Sequence, residues 1–213
     1  MKLLALADNY IPPGTMRSGL APLAELGLEI EVRHWSHASL VDLQHANLAI
    51  EKGGPEVVSL PAELSANLAD YDIVVVQFAP LNRAFIEAAK SLKVIAVLRG
   101  GTENIDVPCA TQRGIAVLNT PGRLARAVAE CTVGLILAEV RNLARGHARL
   151  AQGQWDRSFP NTDDIPELYR RTVGLVGYGA KPRLTHPTFY FPNILRTAST
   201  TFLALGMAAF SKW

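Results

Sequence analysis

The chemistry most open to reading lies where the apolar run Thr172-Val173-Gly174-Leu175-Val176 enters Gly177-Tyr178-Gly179. A β-branched strand ending in Gly-x-Gly can bring backbone N–H groups close to a pyrophosphate, because glycine permits the tight turn and leaves no side chain in the way. The third glycine of such a fingerprint would stand at position 182, which is Pro182. Proline has no N–H and cannot allow the close helix–strand packing that the missing side chain of glycine gives. An acid for the ribose, expected ~20 residues further on, is missing as well, since no Asp or Glu occurs after Ala180. The nucleotide signal is half complete. Arg99-Gly100-Gly101 follows another apolar run, and taken alone its glycine pair reads as an ordinary tight turn. His34, His37 and His45 have no acid at ligand spacing and read as polar surface, so no metal site is assigned. His186, in Thr185-His186-Pro187, reads as a solvated loop residue, and no catalytic residue is assigned. Cys109 and Cys131 fit neither a disulfide framework nor zinc spacing and read as buried thiols of a reducing, cytoplasmic interior.

These loops need a scaffold, and the composition allows one. The chain has 213 residues, 49% apolar and 19% charged, enough for a sizeable core in one or two domains. A formal charge of +2 with both signs interspersed gives no footprint for nucleic acid or an anionic membrane, and suits small neutral or anionic ligands. The apolar start is interrupted by Asp8-Asn9 too early for a signal-peptide core. The apolar stretch 197–210 is roughly fourteen residues, below the ~18 of a spanning helix.

Residues 3–7 read as a central strand, 16–26 as a helix, and 28–32, alternating with period two, as a strand near a sheet edge. Residues 35–70 are weakly patterned and read as helical. The strongest strand, 72–77, stops at Phe78-Ala79-Pro80. Asn82 caps a helix to about 92, and strand 94–98 opens onto Arg99-Gly100-Gly101. Asp106 caps a short helix with Pro108 in its first turn, Gly114 closes it, and 115–118 is a further strand. Five strands alternating with helices predict a doubly wound parallel sheet of order 2-1-3-4-5, with ligands at the carboxyl ends near the loops after strands one and three. Residues 123–151 read as one long helix, apolar on the Leu124, Val128, Cys131, Leu135 face and on a second face of Val133, Ile136, Leu137 and Val140. Such a helix is expected to be buried on two sides, between two domains.

The segments Arg99-Gly100-Gly101-Thr102-Glu103-Asn104-Ile105-Asp106, Arg113-Gly114-Ile115, Asn119-Thr120-Pro121-Gly122, Ala127-Val128-Ala129-Glu130 and Thr172-Val173-Gly174-Leu175-Val176-Gly177-Tyr178-Gly179, in this order and spacing, resemble the D-isomer-specific 2-hydroxyacid dehydrogenases, the phosphoglycerate dehydrogenase branch above all. The likeness runs from about residue 3 to 180. It implies a flavodoxin-like substrate-binding domain over 1–120. A crossover helix and the first strand of a Rossmann NAD-binding domain would follow over 121–180, and hydride transfer would take place in the cleft between the domains, usually in a homodimer. It also implies that backbone N–H groups of Gln77-Phe78-Ala79 and Arg99-Gly100-Gly101 hold the carboxylate of a small 2-hydroxy or 2-oxo acid, with Thr102, Gly177, Tyr178 and Gly179 at the NAD cofactor. The carboxylate-gripping arginine, the acid–base histidine and the acid that orients it lie further downstream in that family, and this sequence does not match them.

Residues 181–213 carry four basic residues and no acid, and resemble nothing in the family. The expectation is therefore a dehydrogenase by descent, C-terminally truncated and inactive alone. The alternative is a non-catalytic module that binds a small carboxylate, or dimerises with a complete relative and regulates it.

Overall fold

The computed structural model describes residues 1–163, 165, 167–169, 172–176 and 193–197. Two compact units are present, Met1–Pro121 and a second beginning at Gly122.

The first unit is a five-stranded parallel sheet in the order β2-β1-β3-β4-β5, built from β1 (Lys2–Ala7), β2 (Glu29–His34), β3 (Ile73–Val76), β4 (Val94–Val97) and β5 (Ala116–Asn119). The expected order and the central place of residues 73–76 both hold, for a physical reason. Strands covered on both faces must be apolar throughout, and Leu3, Leu4, Ala5, Leu6 and Ala7 are all fully buried. Leu4, Leu6, Val74, Val76, Ile95 and Val97 point to one face, where they meet Leu43 and Ile50 of α2 (Leu40–Gly53), Phe85 and Ile86 of α3 (Arg83–Ala88) and Cys109 and Ala110 of α4 (Val107–Gln112). Leu3, Ala5, Ala7 and Val75 point to the other, against Met16 and Leu20 of α1 (Pro13–Glu25). Burying each of these large aliphatic side chains is worth about 1.5–3 kcal/mol, so the two faces fix the register of the sheet.

The helix ends follow local chemistry. Asn82 accepts a hydrogen bond from the Phe85 amide at 3.0 Å, and Asp106 accepts one from that of Cys109 at 2.9 Å. Gly114 takes φ +70° after α4, where the left-handed turn favours glycine. Helix α1 starts at Pro13 rather than 16, since proline at N1 loses no hydrogen bond. Helix α3 stops at Ala88, short of 92. The Arg113 guanidinium reaches across to close it, donating to the carbonyls of Ile86, Ala89 (3.1 Å) and Lys90 (3.3 Å), acceptors that a helix end leaves open.

The second unit corrects the expectation of one helix over 123–151. Two helices stand there, α5 (Ala125–Val140) and α6 (Leu143–Ala151), separated by Asn142 in the left-handed region at φ 55°. Asparagine tolerates that region better than most residues. Here it is buried and tied down, its amide group donating to Asn161 Oδ1 at 2.6 Å and accepting from Arg145 at 3.2 Å. Nor is α5 buried on two sides. Ala125, Ala129 and Val133 form one narrow buried stripe, while Leu124, Val128, Leu135 and Leu137 are exposed. Cys131 is exposed as well, against the expectation of a buried thiol, whereas Cys109 is buried. In the same unit β6 (Thr172–Val176) pairs in parallel with β7 (Asn193–Thr197), so a strand lies within the segment after residue 180. No helix among the described residues is long and apolar enough to cross a membrane.

Candidate functional site

The carboxyl ends of β1, β3 and β4 bring three loops together at the point where the connections of the sheet diverge to either side. After β1, Asp8 turns the chain. Its Oδ1 accepts from the amides of Tyr10 and Ile11, both at 2.9 Å, and the Tyr10 ring then lies 5.7 Å from that of Phe78 in the loop after β3. Burial pushes the Asp8 carboxyl above its ordinary range, although hydrogen bonds from the backbone of Ile11, Tyr10 and Phe78 pull the other way.

Gln77, Phe78 and Ala79 directly follow β3, and the amide of Leu98 donates to Val76 O at 2.8 Å, which sets the loops after β3 and β4 side by side. Asn104, fully buried, links them: its side-chain amide donates to Ala79 O at 3.0 Å and Gln77 O at 3.4 Å, and its carbonyl accepts from the Leu81 amide at 2.8 Å. The expected substrate-site residues are therefore neighbours. Asp8 Oδ2, Gln77 Oε1 and Asn104 Oδ1 are buried at this end of the sheet with no partner among the described residues.

The glycine loop owes its direction to β5. The Thr120 amide donates to Arg99 O at 3.0 Å, and Asn119 Nδ2 donates to Gly100 O at 2.8 Å. In a trans peptide the N–H points opposite to the C=O. The amides of Gly100 and Gly101, which share peptide planes with those two carbonyls, therefore face away from β5, toward the side of Phe78. Neither donates to any acceptor among the described residues. Two successive N–H groups aimed one way can serve as paired donors to an anion.

Arg99 stands beside this pair. Its guanidinium lies 5.0 Å from the centre of the Phe78 ring and donates to Asn47 Oδ1 at 2.9 Å and Glu51 Oε1 at 2.6 Å, with Glu103 Oε2 at 3.4 Å. Its side chain is only 13% exposed. It is a braced group rather than a solvated one, and Asn47 and Glu51 come from α2, whose sequence carried no sign of a site. The parts that sequence reasoning missed are thus Asp8, Tyr10, Asn47, Glu51 and the roles of Glu103 and Asn104. Only Asp8 had a usable signal, as the polar residue that ends an apolar strand at a switch point.

Thr102 is half-buried in the same loop, its carbonyl accepting from Ile105 at 3.0 Å. Gly177, Tyr178 and Gly179 lie outside the described residues, although the strand that leads into them, β6, is formed. A cavity of about 220 Å³ lies elsewhere, between Ser59, Leu68, Pro80, Asn82 and Phe85. It contains no titratable side chain and none of the glycine-loop residues, so it is separate from the candidate site at the loops. Among the described residues no cluster of His, Cys, Asp and Glu could hold a metal ion.

Known proteins share this organisation. Residues 33–210 match the family model of the D-isomer specific 2-hydroxyacid dehydrogenase, catalytic domain, a range that continues past Ala180. A glyoxylate reductase of Thermofilum pendens is 43% identical over 119 residues, 55% of this chain and 35% of the relative. A D-3-phosphoglycerate dehydrogenase of Methanocaldococcus jannaschii is 42% identical over 119 residues, 55% of this chain and 22% of the relative. The chain thus spans about a third or less of the length of these two relatives. An NAD-dependent formate dehydrogenase of Staphylococcus aureus, solved in complex with NAD, superposes with a TM-score of 0.61 over 91% of this chain and 53% of that one, at 22% identity, a likeness of fold.

Proposed function

Since the chain belongs to the D-isomer specific 2-hydroxyacid dehydrogenase family, we propose that Met1–Pro121 is the substrate-binding half of a cytoplasmic NAD-dependent enzyme that moves hydride between NAD(H) and a small 2-hydroxy or 2-oxo acid. The observation that carries this reading is the pair of parallel, unpartnered amides at Gly100 and Gly101, beside Phe78 and at the carboxyl end of a central strand. A carboxylate placed there gains short, charge-assisted hydrogen bonds from donors already oriented for it. Gln77 and Ala79 shape the neighbouring loop, held through Asn104. Arg99 fixes the wall of the site more than it supplies free charge, because Glu51 and Glu103 already face it.

For the cofactor, β6 and its parallel partner β7 fit the opening of a dinucleotide-binding sheet, with Thr102, Gly177, Tyr178 and Gly179 as the proposed contacts toward NAD. NAD supplies the hydride acceptor or donor. Pro182 and the lack of an acid after Ala180 weigh against tight binding by this sequence, and no residue here is assigned the acid–base role, whose loss typically costs about 10²–10⁴-fold in rate. The chain alone is therefore expected to show background turnover. The exposed face of α5 is the proposed homodimer contact. A non-catalytic module that binds a small carboxylate or pairs with a complete relative is the second reading, favoured by the same amide pair if turnover cannot be restored.

The test has two parts. Oxamate, an unreactive analogue of a 2-oxo acid, is titrated into the full chain while the amide resonances of Gly100 and Gly101 are followed. NADH oxidation with glyoxylate or hydroxypyruvate is then measured for the chain and for a chimera carrying a relative's sequence after Ala180. Shifts at both amides and turnover by the chimera alone are expected. Silent amides would end the anion-site reading, and an inactive chimera with responsive amides would leave the binding module.

A further inference from the structure

Glu103 stands in a position that the proposed substrate site does not require. A Cβ placed on Gly101 would collide with the Glu103 carboxylate, so that group fills the space which the glycine leaves open beside its own amide. Its Oε2 lies 3.4 Å from Arg99, and its side chain is 46% exposed. Glu51 differs. It is held at 2.6 Å on the same guanidinium, from a helix, and Asn47 on that helix adds a hydrogen bond. Around the two free amides, then, one guanidinium faces two carboxylates, and only Glu103 has both the longer contact and the solvent access to leave.

We infer that Glu103 is a specificity-determining residue: its carboxylate, beside Gly101 but bonded to neither amide, sets a negative charge at the Gly100-Gly101 site that a monoanionic 2-oxo acid tolerates and that disfavours acids carrying further negative charge. The inference rests on the proposed anion site. An incoming carboxylate meets a local excess of negative charge beside Gly101 until Glu103 swings into water. A second charge on the ligand, such as a phosphate, feels the same excess with no additional donor to offset it. One exposed charge at this range changes an anion's affinity by roughly three- to tenfold at low salt, and by less as salt screens it.

The experiment follows the Gly100 and Gly101 amides of the full chain during titration with oxamate and, separately, with 3-phosphoglycerate, for wild type, Glu103→Gln, Glu103→Ala and Glu25→Gln. Both Glu103 variants are expected to bind oxamate about three- to tenfold more tightly, to gain more than that for 3-phosphoglycerate, and to lose most of the gain in 0.5 M salt, roughly three times above the ionic strength at which the screening length is ~8 Å. Glu25→Gln is expected to change oxamate binding less than about twofold, because Glu25 is an exposed acid at the end of α1 with no part in the site. Oxamate binding that is present but equal in wild type and both Glu103 variants overturns the inference and leaves the anion site standing. So does an equal gain in Glu25→Gln, since the effect would then be net charge and not position. Amides that respond to no ligand in any of the four proteins overturn the anion site, and the inference with it.

Discussion

Removing Arg99 should cost more stability than its place in a loop implies. Arg99→Ala deletes a hydrogen bond to Asn47 at 2.9 Å, ion pairs to Glu51 at 2.6 Å and Glu103 at 3.4 Å, and a contact over the Phe78 ring at 5.0 Å. The hydrogen bond is worth about 0.5–1.5 kcal/mol. Each ion pair, with a partner 39% or 46% exposed, is worth roughly 0.2–1 kcal/mol after screening, and the ring contact about 0.5–1 kcal/mol. These contributions overlap, and the partners left behind can reach water, so no large desolvation penalty is added. The expected loss is about 1.5–3 kcal/mol. Arg99→Lys keeps the charge but not the planar fork that meets Asn47 and Glu51 together, and should lose about half as much. Urea unfolding of the full chain, followed by Trp35 fluorescence, reads this out, because Trp35 is buried in the first unit. A midpoint shift with unchanged slope gives the difference directly. If Arg99→Ala unfolds within about 0.5 kcal/mol of wild type, the brace between α2 and the glycine loop contributes nothing and the reasoning fails.

Asp8 has its folded-state pKa raised by burial, so ionising it works against the fold. Wild-type stability from this group should fall as pH rises from the ordinary carboxylate value near 3.8 through the raised one, and Asp8→Asn, which keeps the acceptor for Tyr10 and Ile11, should gain over wild type across that window and hold the gain above it; unfolding curves that stay parallel in pH for the two proteins would refute this. Asn142→Ala places a residue without a polar side chain at φ 55° and strips the bonds to Asn161 and Arg145, for an expected loss of about 2 kcal/mol in the second unit, whereas Asn142→Gly should lose less because glycine accepts that φ; hydrogen exchange across α5 and α6 measures both, and equal losses would show that the backbone strain is unimportant. Gly101→Ala should leave the unfolding midpoint close to wild type while weakening oxamate binding at least tenfold; a variant destabilised in proportion to its loss of binding would place the effect in folding.

Most of the first unit could be read from the sequence because its strands obey a burial rule that leaves little choice. Residues 73–76 and 94–97 are apolar at every position since helices cover both faces, and Asn82, Asp106 and Gly114 announce their helix ends by side chain alone. The break at Asn142 carries no such mark. No proline or glycine stands at 141–142, and the left-handed turn depends on Asn161, a partner that appears only once the chain is folded. The wall of the site was hidden for the same reason. Arg99 is visible as a charge beside two glycines, but Asn47 and Glu51 reach it from 52 and 48 residues away in sequence, and no local pattern links them.

The glycine pair separates folding from function more sharply than the motif does. Glycine is needed for folding where φ is positive or where a Cβ would strike the backbone, as at Gly114 with its φ of +70°. Neither condition applies at the loop after β4. Gly100 and Gly101 have no positive φ, and a Cβ on Gly100 would sit 3.8 Å from Thr120 O, an ordinary contact. On Gly101 its nearest neighbours would be the end of the Glu103 side chain, which is half exposed and can shift into water. Alanine at either position should therefore be neutral or slightly stabilising, by about 0.4–1 kcal/mol through the less flexible unfolded chain. The fold does not ask for glycine here. What an added methyl group would obstruct is the approach of another molecule to two amides that β5 has already turned away from itself, which is the role that the proposed anion site gives to the pair.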